Sequence, residues 1–568
     1  MTLWPPRTRF RGLTDRFGSG EDRSAILLSL VIGVLVGLVV VAFILLTGRF
    51  SARMYPNGSA AWRRVLIPTF GSLITGWLLY RFFPNARGSG IPQTKYALFI
   101  NDGYISTKTV LGKFFCCSAS LASGIALGRE GPSVQIGAGI ASILGRRFGL
   151  PPKVVKDLVP MGCSAALATA FNTPIAAVLF SLEEILGNLH AAVIGAVVIS
   201  SATAWMVLHA VLGDEPLFHV PTYQLVHPIE FAVYAVLGVA GGLGSVAFVK
   251  LLLKLRILFR KLPQWTVWFQ PVAGGLFVGI LAWFVPEILG VGYDYVERVL
   301  GGDFPLKTVA LLAVLKIVAT PMCYSSGNAG GIFGPALFIG AMIGGTVGQV
   351  AHHLLPGLTA GPGAYALVGM GTAFAGIVRT PLTSVIMIFE MTRDYSIIVP
   401  LMISNLIAFT ISYRLQREPI YEALALQEGV YLPAREDLDE LSGIQVGQVM
   451  RTEFQPLSPT LDLAAAKKWL EEQGRNAWPV GDARVLDGFV TLRQIEERKD
   501  APDLNALIQT NGAYPFVHPD HPVSLALERM GHAGVDAIPV VSRTNLHLAQ
   551  GVVLLSEVLA SYGVKSAG

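Results

Sequence analysis

The succession of strongly apolar segments constrains this chain more than any other feature. The first segment, Ile26–Thr47, is long enough to cross the hydrocarbon core of a bilayer. Several later segments are shorter than a bilayer requires and contain glycine or proline, as in discontinuous helices that meet inside a membrane. The later apolar segments, long and short together, lie at about Trp62–Phe83, Lys108–Leu127, Leu158–Ala170, Pro174–Leu186, Ala191–Leu212, Phe231–Leu253, Val267–Val285, Lys307–Met322, Ala336–Leu355, Tyr365–Val378 and Ile397–Tyr413. The sequence therefore predicts an all-α, polytopic membrane domain.

Composition agrees with a membrane protein and argues against other classes. Mean hydropathy is +0.55, and charged residues make up only 14% of the chain, against roughly 25% in soluble domains. The net charge of +5 does not indicate a nucleic-acid partner, because the basic residues lie mainly near helix ends and in the tails. No nucleophile-elbow, Walker or metalloprotease motif occurs, and the four cysteines lack metal-ligand spacing. We therefore expect neither an enzyme nor a metal site, and no cofactor in the membrane domain.

The membrane region contains an internal duplication. Gly128–Gly145 aligns without gaps on Gly331–Gly348, with eight of eighteen positions identical. Downstream, the segment that starts at Asn172 matches the segment that starts at Arg379. Transporters built from such repeats commonly bind substrate at the interface between the repeats, on broken helices near the middle of the membrane.

The duplicated stretch carries a carboxylate where one is costly. Pro132 fits the first turn of a helix, which places Glu130 just ahead of the helix start. Free N–H groups and the helix dipole attract an anion there. The second copy has Phe333 in place of Glu130. Glu130 is therefore a candidate for a tethered anion that gives way to a free one; the alternative is a glutamate that only caps its own helix.

Two more polar features interrupt apolar sequence. Gly88–Pro92 is a third glycine- and proline-punctuated stretch, and Ser89 in it can either cap a turn or donate its hydroxyl to an anion. Helix N-termini that converge in a membrane form an anion site without a full positive charge. Glu183 and Glu184 end an apolar run, where one could mark the end of a helix and the other relay protons.

These motifs resemble the signatures of the CLC family of chloride channels and chloride/proton exchangers. The resemblance covers about residues 22–428 through GSGIP, GREGP, GIFGP and the paired glutamates. It implies a homodimer with one anion pathway per subunit and two oppositely oriented repeats per membrane domain. By motif it also implies residue roles: Ser89, the N–H groups of Ile332 and Phe333, and the Tyr421 hydroxyl as anion ligands, Glu130 as the gate, and Glu184 as the internal proton acceptor.

The C-terminal part has a soluble character and repeats itself. Pro459, Gly474, Pro479 and Val480 recur sixty residues later, and this α/β pattern resembles a pair of CBS domains. Such pairs often bind an adenine nucleotide, but the Thr/Ser-x-x-Asp ribose motif is altered in both copies. The first copy has Thr491 and Gln494, and the second has Leu554 and Glu557. A structural or regulatory dimerisation module is therefore expected, with nucleotide binding as the alternative.

The domain assignment follows from these boundaries. Residues 1–22 form a basic N-terminal segment, which predicts a cytoplasmic N-terminus in an uncleaved inner- or plasma-membrane protein. The C-terminus is also expected in the cytoplasm. The membrane domain is assigned to residues 23–430, a linker to 431–442, and the CBS-like repeats to 443–500 and 501–568.

The sequence as a whole predicts chloride transport, in the form of chloride/proton antiport with a gating glutamate. Two alternatives stay open. One is a passive chloride channel of the voltage-gated type on the same fold, which needs no inner proton acceptor such as Glu184. The other is a membrane sensor that reads a nucleotide through the CBS-like pair and carries no ions.

Overall fold

The computed structural model describes residues 21–56, 58–187, 193–214, 216–218, 220, 225–430, 444–482, 485–498, 501–508 and 514–561. The chain divides into two compact units, Met1–Leu432 and Pro433–Gly568. The expected linker 431–442 and residues 1–20 of the N-terminal segment lie outside the described residues.

The first unit is built from α-helices and short 3₁₀ or π turns. Within the described residues, seven helices are long and apolar enough to cross a membrane. The α-helices of this unit, spanning and shorter ones together, are α1 Glu21–Met54, α2 Ala61–Arg81, α3 Ile91–Phe99, α4 Thr107–Ala122, α5 Glu130–Arg147, α6 Pro152–Phe171, α7 Pro174–Phe180, α8 Ile194–Leu212, α9 Glu230–Arg260, α10 Gln270–Phe284, α11 Tyr293–Leu300, α12 Leu306–Ser325, α13 Phe333–Leu354, α14 Pro362–Val378, α15 Pro381–Thr392, α16 Ile398–Leu415 and α17 Ile420–Gln427.

The sequence duplication corresponds to duplicated packing. A Cβ atom on Gly137 in α5 would lie 2.2 Å from the Gly162 carbonyl oxygen in α6. In the second copy, a Cβ on Gly340 in α13 would lie 2.2 Å from the Gly369 carbonyl oxygen in α14. Small residues allow this close approach of helices, which supplies the van der Waals contact that holds helices together in lipid. The same backbone-to-backbone contact therefore forms at equivalent places in both repeats.

The ends of α7 and α15 join the two repeats reciprocally. Glu390, at the end of α15, accepts hydrogen bonds from the backbone N–H groups of Ile175 (2.9 Å) and Ala176 (2.7 Å) at the start of α7. Glu183, in the π-helical turn after α7, accepts from the Thr383 N–H (2.9 Å) and hydroxyl (2.8 Å) at the start of α15. Each glutamate thus satisfies N–H groups that a helix start leaves without partners. Glu183 is buried and caps a helix, so it does not mark a helix end that leaves the membrane.

The second unit contains two similar α/β halves. Its elements are α18 Val446–Val449, α19 Leu463–Glu472, β1 Ala477–Asp482, β2 Val485–Thr491, α20 Leu492–Glu497, α21 Val523–Ala533, β3 Ala537–Val541, β4 Ala549–Leu554 and α22 Leu555–Ser561. Antiparallel pairing joins β1 to β2 and β3 to β4, with a bulge after Val480 in one pair and after Val540 in the other. The Asn476 N–H donates to the Asp536 side chain, and the Asp536 N–H donates to the Asn476 side chain. These contacts sixty residues apart relate the two halves by an approximate two-fold axis.

Candidate functional site

A short backbone bridge joins the equivalent loops of the two repeats. The Gly128 N–H donates to the Gly331 carbonyl at 2.7 Å, and the Gly331 N–H donates to the Gly128 carbonyl at 2.7 Å. These glycines lie two residues ahead of the starts of α5 and α13. Because both helices begin beside one bridge, their N-termini lie side by side inside the first unit.

The third glycine-rich stretch packs against the same point. A Cβ on Gly90 would lie 2.4 Å from the Gly131 carbonyl oxygen, and a Cβ on Gly131 would lie 2.5 Å from the Ser89 carbonyl oxygen. Gly90 also has a φ of 104°, which L side chains rarely adopt. Glycine is therefore required at both positions, and the starts of α3, α5 and α13 converge.

The carboxylate of Glu130 lies at the start of the second repeat's helix. Glu130 is the first residue of α5 and is fully buried. One carboxylate oxygen accepts from the Gly334 N–H at 3.2 Å, and the other accepts from the Tyr293 hydroxyl. The nearest cation is Arg129, whose Nε lies 3.9 Å from the carboxylate and whose guanidinium stacks on the Tyr293 ring. The carboxylate therefore caps α13 across the repeat interface and not its own helix.

Ser89 does not cap the helix that follows it. The residue before α3 is Gly90, whose N–H donates to the Gln93 side chain at 2.9 Å. The hydroxyls of Ser89 and Tyr421 are both fully buried and have no hydrogen-bond partner among the described residues. A buried hydroxyl without a partner costs free energy. Both groups are thus available to a ligand.

Ile332 and Phe333 lie on the other side of the bridge. Ile332 precedes α13 and Phe333 is its first residue, so their N–H groups belong to the helix turn that has no intrahelical acceptors. The Phe333 ring packs on Phe171, Phe180 and Phe374, with ring centroids 4.8, 5.5 and 4.3 Å away. This aromatic cluster fixes the helix start and walls the site with apolar surface.

Tyr324 also reaches this site, and the sequence did not single it out. Its hydroxyl lies near the hydroxyls of Ser89 and Tyr421 without making a hydrogen bond of normal geometry to either of them. Tyr324 also borders a cavity of about 950 Å³, together with Gly88 and Gln93. Arg87 and Arg256 line the same cavity, and Arg256 is paired there with Glu428.

Two buried lysines donate hydrogen bonds to backbone carbonyls of the loops around the site. Lys113 donates to the carbonyls of Ala86 (3.0 Å) and Gly88 (2.8 Å), directly ahead of Ser89. In the second repeat, Lys316 donates to the carbonyls of Ile288 (3.1 Å) and Gly290 (2.7 Å). Lysine side chains therefore lie behind the loops that lead into α3 and α11.

The predicted proton acceptor Glu184 belongs to a buried cluster of charges. Its carboxylate lies 3.0 Å from Lys95 Nζ, and Lys95 also contacts the carboxylate of Glu422. The second oxygen of Glu422 is buried and has no partner among the described residues. Lys95 lies in α3 with Ser89 just ahead of that helix, and Glu422 follows Tyr421 in α17. The cluster therefore adjoins both elements that present the unpartnered hydroxyls.

The arrangement can bind an anion and hold exchangeable protons. Neutral hydroxyl and N–H donors face a point near the starts of three helices, which suits an anion that must also leave. Glu130 accepts a hydrogen bond from one of these N–H groups. Glu184 and Glu422 provide further carboxylates on the α3 and α17 side.

Family and sequence comparisons agree with this geometry. The family model described as voltage gated chloride channel matches residues 71–413, and the CBS domain model matches residues 511–563. A putative chloride channel protein ClcB-like from Ralstonia nicotianae is 35% identical over 63% of this chain and 85% of its own length. The H(+)/Cl(-) exchange transporter ClcA of Vibrio campbellii is 33% identical over 63% of this chain and 78% of its own. The ClcA of Vibrio cholerae is 32% identical over 71% of this chain and 89% of its own.

Solved structures show the same fold. A slow cyanobacterial Cl-/H+ antiporter is 26% identical, with a TM-score of 0.65 over 71% of this chain and 97% of its own. A eukaryotic CLC transporter, 20% identical, has a TM-score of 0.61 over 94% of this chain and 97% of its own. At that identity the second likeness shows the fold alone.

Proposed function

The chain belongs to the voltage-gated chloride channel family, and from that membership we propose that it exchanges chloride for protons across the cell membrane. Relatives that share about a third of its sequence are named H(+)/Cl(-) exchange transporters. The observation that carries the proposal is the position of Glu130. Its carboxylate accepts a hydrogen bond from the Gly334 N–H at the start of α13, where a free anion would otherwise bind.

The anion pathway leads from the cavity beside Gly88 to the helix starts. Chloride is bound by the hydroxyls of Ser89 and Tyr421 and by the N–H groups of Ile332 and Phe333. The support is that both hydroxyls are buried without a described partner and that α13 begins at Phe333. Neutral donors bind chloride less tightly than a direct ion pair with a lysine or arginine would, so the bound chloride can be released.

Glu130 acts as the gate and carries the proton on the outer side. While ionised, it occupies the anion position at the start of α13 and blocks it. Protonation removes its negative charge and with it the attraction to the Gly334 N–H and the helix dipole. The neutral side chain then leaves the position, and chloride takes its place. Proton binding and chloride binding thus exclude each other's competitor at one carboxylate position, which couples the movements of the two ions.

Glu184 acts as the inner proton acceptor together with Glu422. Lys95 contacts both carboxylates, so two negative charges share one positive charge. Ion pairs this deeply buried gain little unless each charge is compensated. One added proton makes the cluster neutral, whichever carboxylate carries it. The acceptor is therefore the cluster and not Glu184 alone.

The CBS pair serves as a regulatory or dimerisation module that does not bind adenine nucleotide. Thr491 and Gln494, at the altered ribose motif, bond reciprocally and cap α20. Glu557, at the equivalent place in the second copy, pairs with Arg451. Thr491 and Gln494 are thus satisfied within the domain, whereas the second carboxylate oxygen of Glu557 is buried without a hydrogen-bond partner among the described residues. We place the transporter in the inner or plasma membrane as a homodimer, with both termini in the cytoplasm.

Reconstituted vesicles in which chloride and proton movements are recorded together test the exchange. The wild type should drive protons uphill when given a chloride gradient. Glu130→Gln and Glu184→Gln should both keep chloride flux and lose proton flux, because each lacks a carboxylate that binds the proton. Proton pumping that survives in Glu130→Gln would falsify the gate assignment.

A passive chloride channel on the same fold is the second candidate. The observation that favours it is the ion pair between Glu184 and Lys95, since a permanently paired carboxylate could not accept protons. A wild-type protein that moves chloride without protons would establish the channel. Nucleotide binding with no ion flux at all would instead establish a membrane sensor.

A further inference from the structure

An apolar groove that shares no lining residue with the proposed anion site runs along the outside of the first unit. It has a volume of about 570 Å³, within the roughly 300–1,000 Å³ range of small-ligand sites. The last turns of α1, the first half of α2 and the end of α4 form its walls. Phe50, Trp62, Phe70, Ile74 and Phe115 line it, and each is at least 44% exposed.

The groove has the depth of one bilayer leaflet. Trp62 and Ile74 mark its two ends along α2 and lie twelve positions apart, which is about 18 Å at 1.5 Å per residue. Half of the hydrocarbon core of a bilayer is about 15 Å thick. A single acyl chain laid in the groove would therefore reach from the membrane surface to the midplane.

The surface end of the groove carries positive charge. Arg49 and Arg53 lie on α1 in a hollow that shares Leu46 and Phe50 with the groove. The Arg63 guanidinium lies 5.8 Å from the Trp62 ring. No carboxylate of the described residues forms an ion pair with any of these arginines. They are thus available to an anionic group at the level where lipid headgroups lie.

The floor of the groove is rigid. Gly71 in α2 lies so close to α4 that a Cβ there would be 2.3 Å from the Ser123 Cβ. The Tyr55 hydroxyl donates to the Ser123 carbonyl at 2.6 Å and fixes the turn between α1 and α2. A preformed groove lowers the ordering cost of a bound chain. The walls do not need to move to admit a ligand.

We propose that this groove is a specific site for one anionic phospholipid, with an acyl chain along α2 and α4 and the phosphate headgroup on Arg49, Arg53 and Arg63. An apolar groove alone would accept any lipid or a partner helix. The three arginines at its surface end select a negatively charged headgroup. This site does not rest on the exchange proposal, since no residue of the anion or proton pathway takes part.

Native mass spectrometry of the intact protein in mild detergent tests the site, with phosphatidylglycerol and phosphatidylcholine of identical acyl chains as probes. The wild type should retain one phosphatidylglycerol per subunit at least tenfold more strongly than phosphatidylcholine. Replacing the three arginines together (Arg49→Gln, Arg53→Gln, Arg63→Gln) should abolish that preference. Arg81→Gln, at the other end of α2, is the charge control and should change nothing.

A groove-filling variant tests the acyl-chain position separately. Ala119→Phe places a ring in the groove and should remove tight retention of both lipids. Val314→Phe adds the same ring on an exposed face of α12 and should leave retention unchanged. Equal retention of the two lipids by the wild type, or tight phosphatidylglycerol binding in Ala119→Phe, would overturn the proposal. Co-purification of a stoichiometric polypeptide displaced by Ala119→Phe would identify a partner helix as the occupant instead.

Discussion

At the scale of single residues, two carboxylates share one ammonium group: Lys95 contacts both Glu184 and Glu422 inside the protein. The cluster carries a net negative charge only while both carboxylates are ionised. Removing the lysine would leave two buried like charges, and breaking a buried pair in this way costs about 3–5 kcal/mol. Neutralising one carboxylate costs less stability, because the lysine and the remaining carboxylate then form a pair with no net charge.

Glu422→Gln is therefore the informative change at this cluster. It leaves Lys95 and Glu184 as a neutral pair with no negative charge to take a proton. We expect chloride flux to persist and proton flux to be lost, as in Glu184→Gln, in vesicles that report both ions.

Glu183→Gln is the matched control for this prediction. Glu183 lies next to Glu184 but caps α15 through Thr383, so the variant should lose stability, by about 1–3 kcal/mol, and keep its coupling ratio. An unchanged ratio in Glu422→Gln would show that Glu184 acts without it.

Anion selectivity should depend on the hydroxyls around Ser89. Ser89→Pro removes the hydroxyl and an N–H donor, and hydrogen bonds to charged groups contribute about 1.5–3 kcal/mol. We expect the chloride-to-nitrate flux ratio to fall roughly tenfold or more, because chloride is the more strongly hydrated ion. Tyr324→Phe should shift the ratio in the same direction by less. Tyr104→Phe, on the same cavity, is the control and should not shift the ratio. Equal chloride-to-nitrate flux ratios in Ser89→Pro, Tyr324→Phe and Tyr104→Phe would show that these hydroxyls do not determine anion selectivity.

The residues found from sequence and those missed differ in a physical way. Glycine and proline mark the starts of α3, α5 and α13, so Ser89 and Glu130 were visible as polar groups beside these marks. Glu422 and Tyr324 lacked such a mark, because their partners lie far away in the chain: the Lys95–Glu422 contact spans 327 positions. The sequence did contain a signal for Lys113 and Lys316. They lie 203 positions apart, the same offset as Gly128 and Gly331, so they occupy equivalent positions of the two repeats.

At the scale of elements, backbone contacts between paired helices hold each repeat together. The crossing of α5 and α6 depends on Gly137 and Gly162, and the crossing of α13 and α14 depends on Gly340 and Gly369. Sequence alone predicted the duplication and most helices, yet not these crossings, because glycine is common throughout the chain. Short elements such as α11 and α17 also had too few residues to show a helical period.

Gly340→Leu should prevent formation of the second repeat's helix pair. The added side chain would start 2.2 Å from the Gly369 carbonyl oxygen, and backbone cannot give way as a flexible side chain can. We expect loss of the monodisperse peak in fluorescence-detected size-exclusion chromatography. Gly195→Leu, where a Cβ meets nothing within 4 Å, is the control and should elute as wild type; normal elution of Gly340→Leu would contradict the packing argument.

At the scale of the whole molecule, the chain divides into two compact units, and every residue proposed for transport lies in the first. The division at Leu432 and Pro433 places Ser89, Glu130, Glu184 and Tyr421 in the first unit. The boundary is next to the linker expected at 431–442, although those residues are not described. The CBS assignment rested on a sixty-residue repeat, and paired contacts such as Asn476 with Asp536 have the same spacing.

Truncation after Leu432 should leave transport in place. Every proposed ligand lies upstream, so chloride and proton fluxes should persist at the wild-type ratio, with a changed absolute rate if the CBS pair regulates turnover. Flux from reconstituted truncated protein measures this. Complete loss of flux from a truncated protein that still elutes as a folded species would contradict the separation of roles.

Adenine nucleotides should not stabilise the full-length protein. A ligand at a hundred times its dissociation constant adds about 2.7 kcal/mol to stability, which a thermal shift would reveal. Because Thr491, Gln494 and Glu557 are engaged within the domain, we expect no shift with AMP, ADP or ATP at millimolar concentration. A clear shift with any of them would reassign the CBS pair as a nucleotide sensor.

The reciprocal glutamates of α7 and α15 have a consequence for biosynthesis. During translation, the start of α7 enters the membrane more than two hundred residues before Glu390, which caps it, has been made. Glu183 is likewise made two hundred residues before Thr383, whose N–H group it accepts a hydrogen bond from. The N-terminal half must therefore remain in a provisional arrangement until the ribosome has completed the second copy. A chain that stops between the copies would expose uncapped N–H groups to lipid, a ready signal for membrane quality-control proteases.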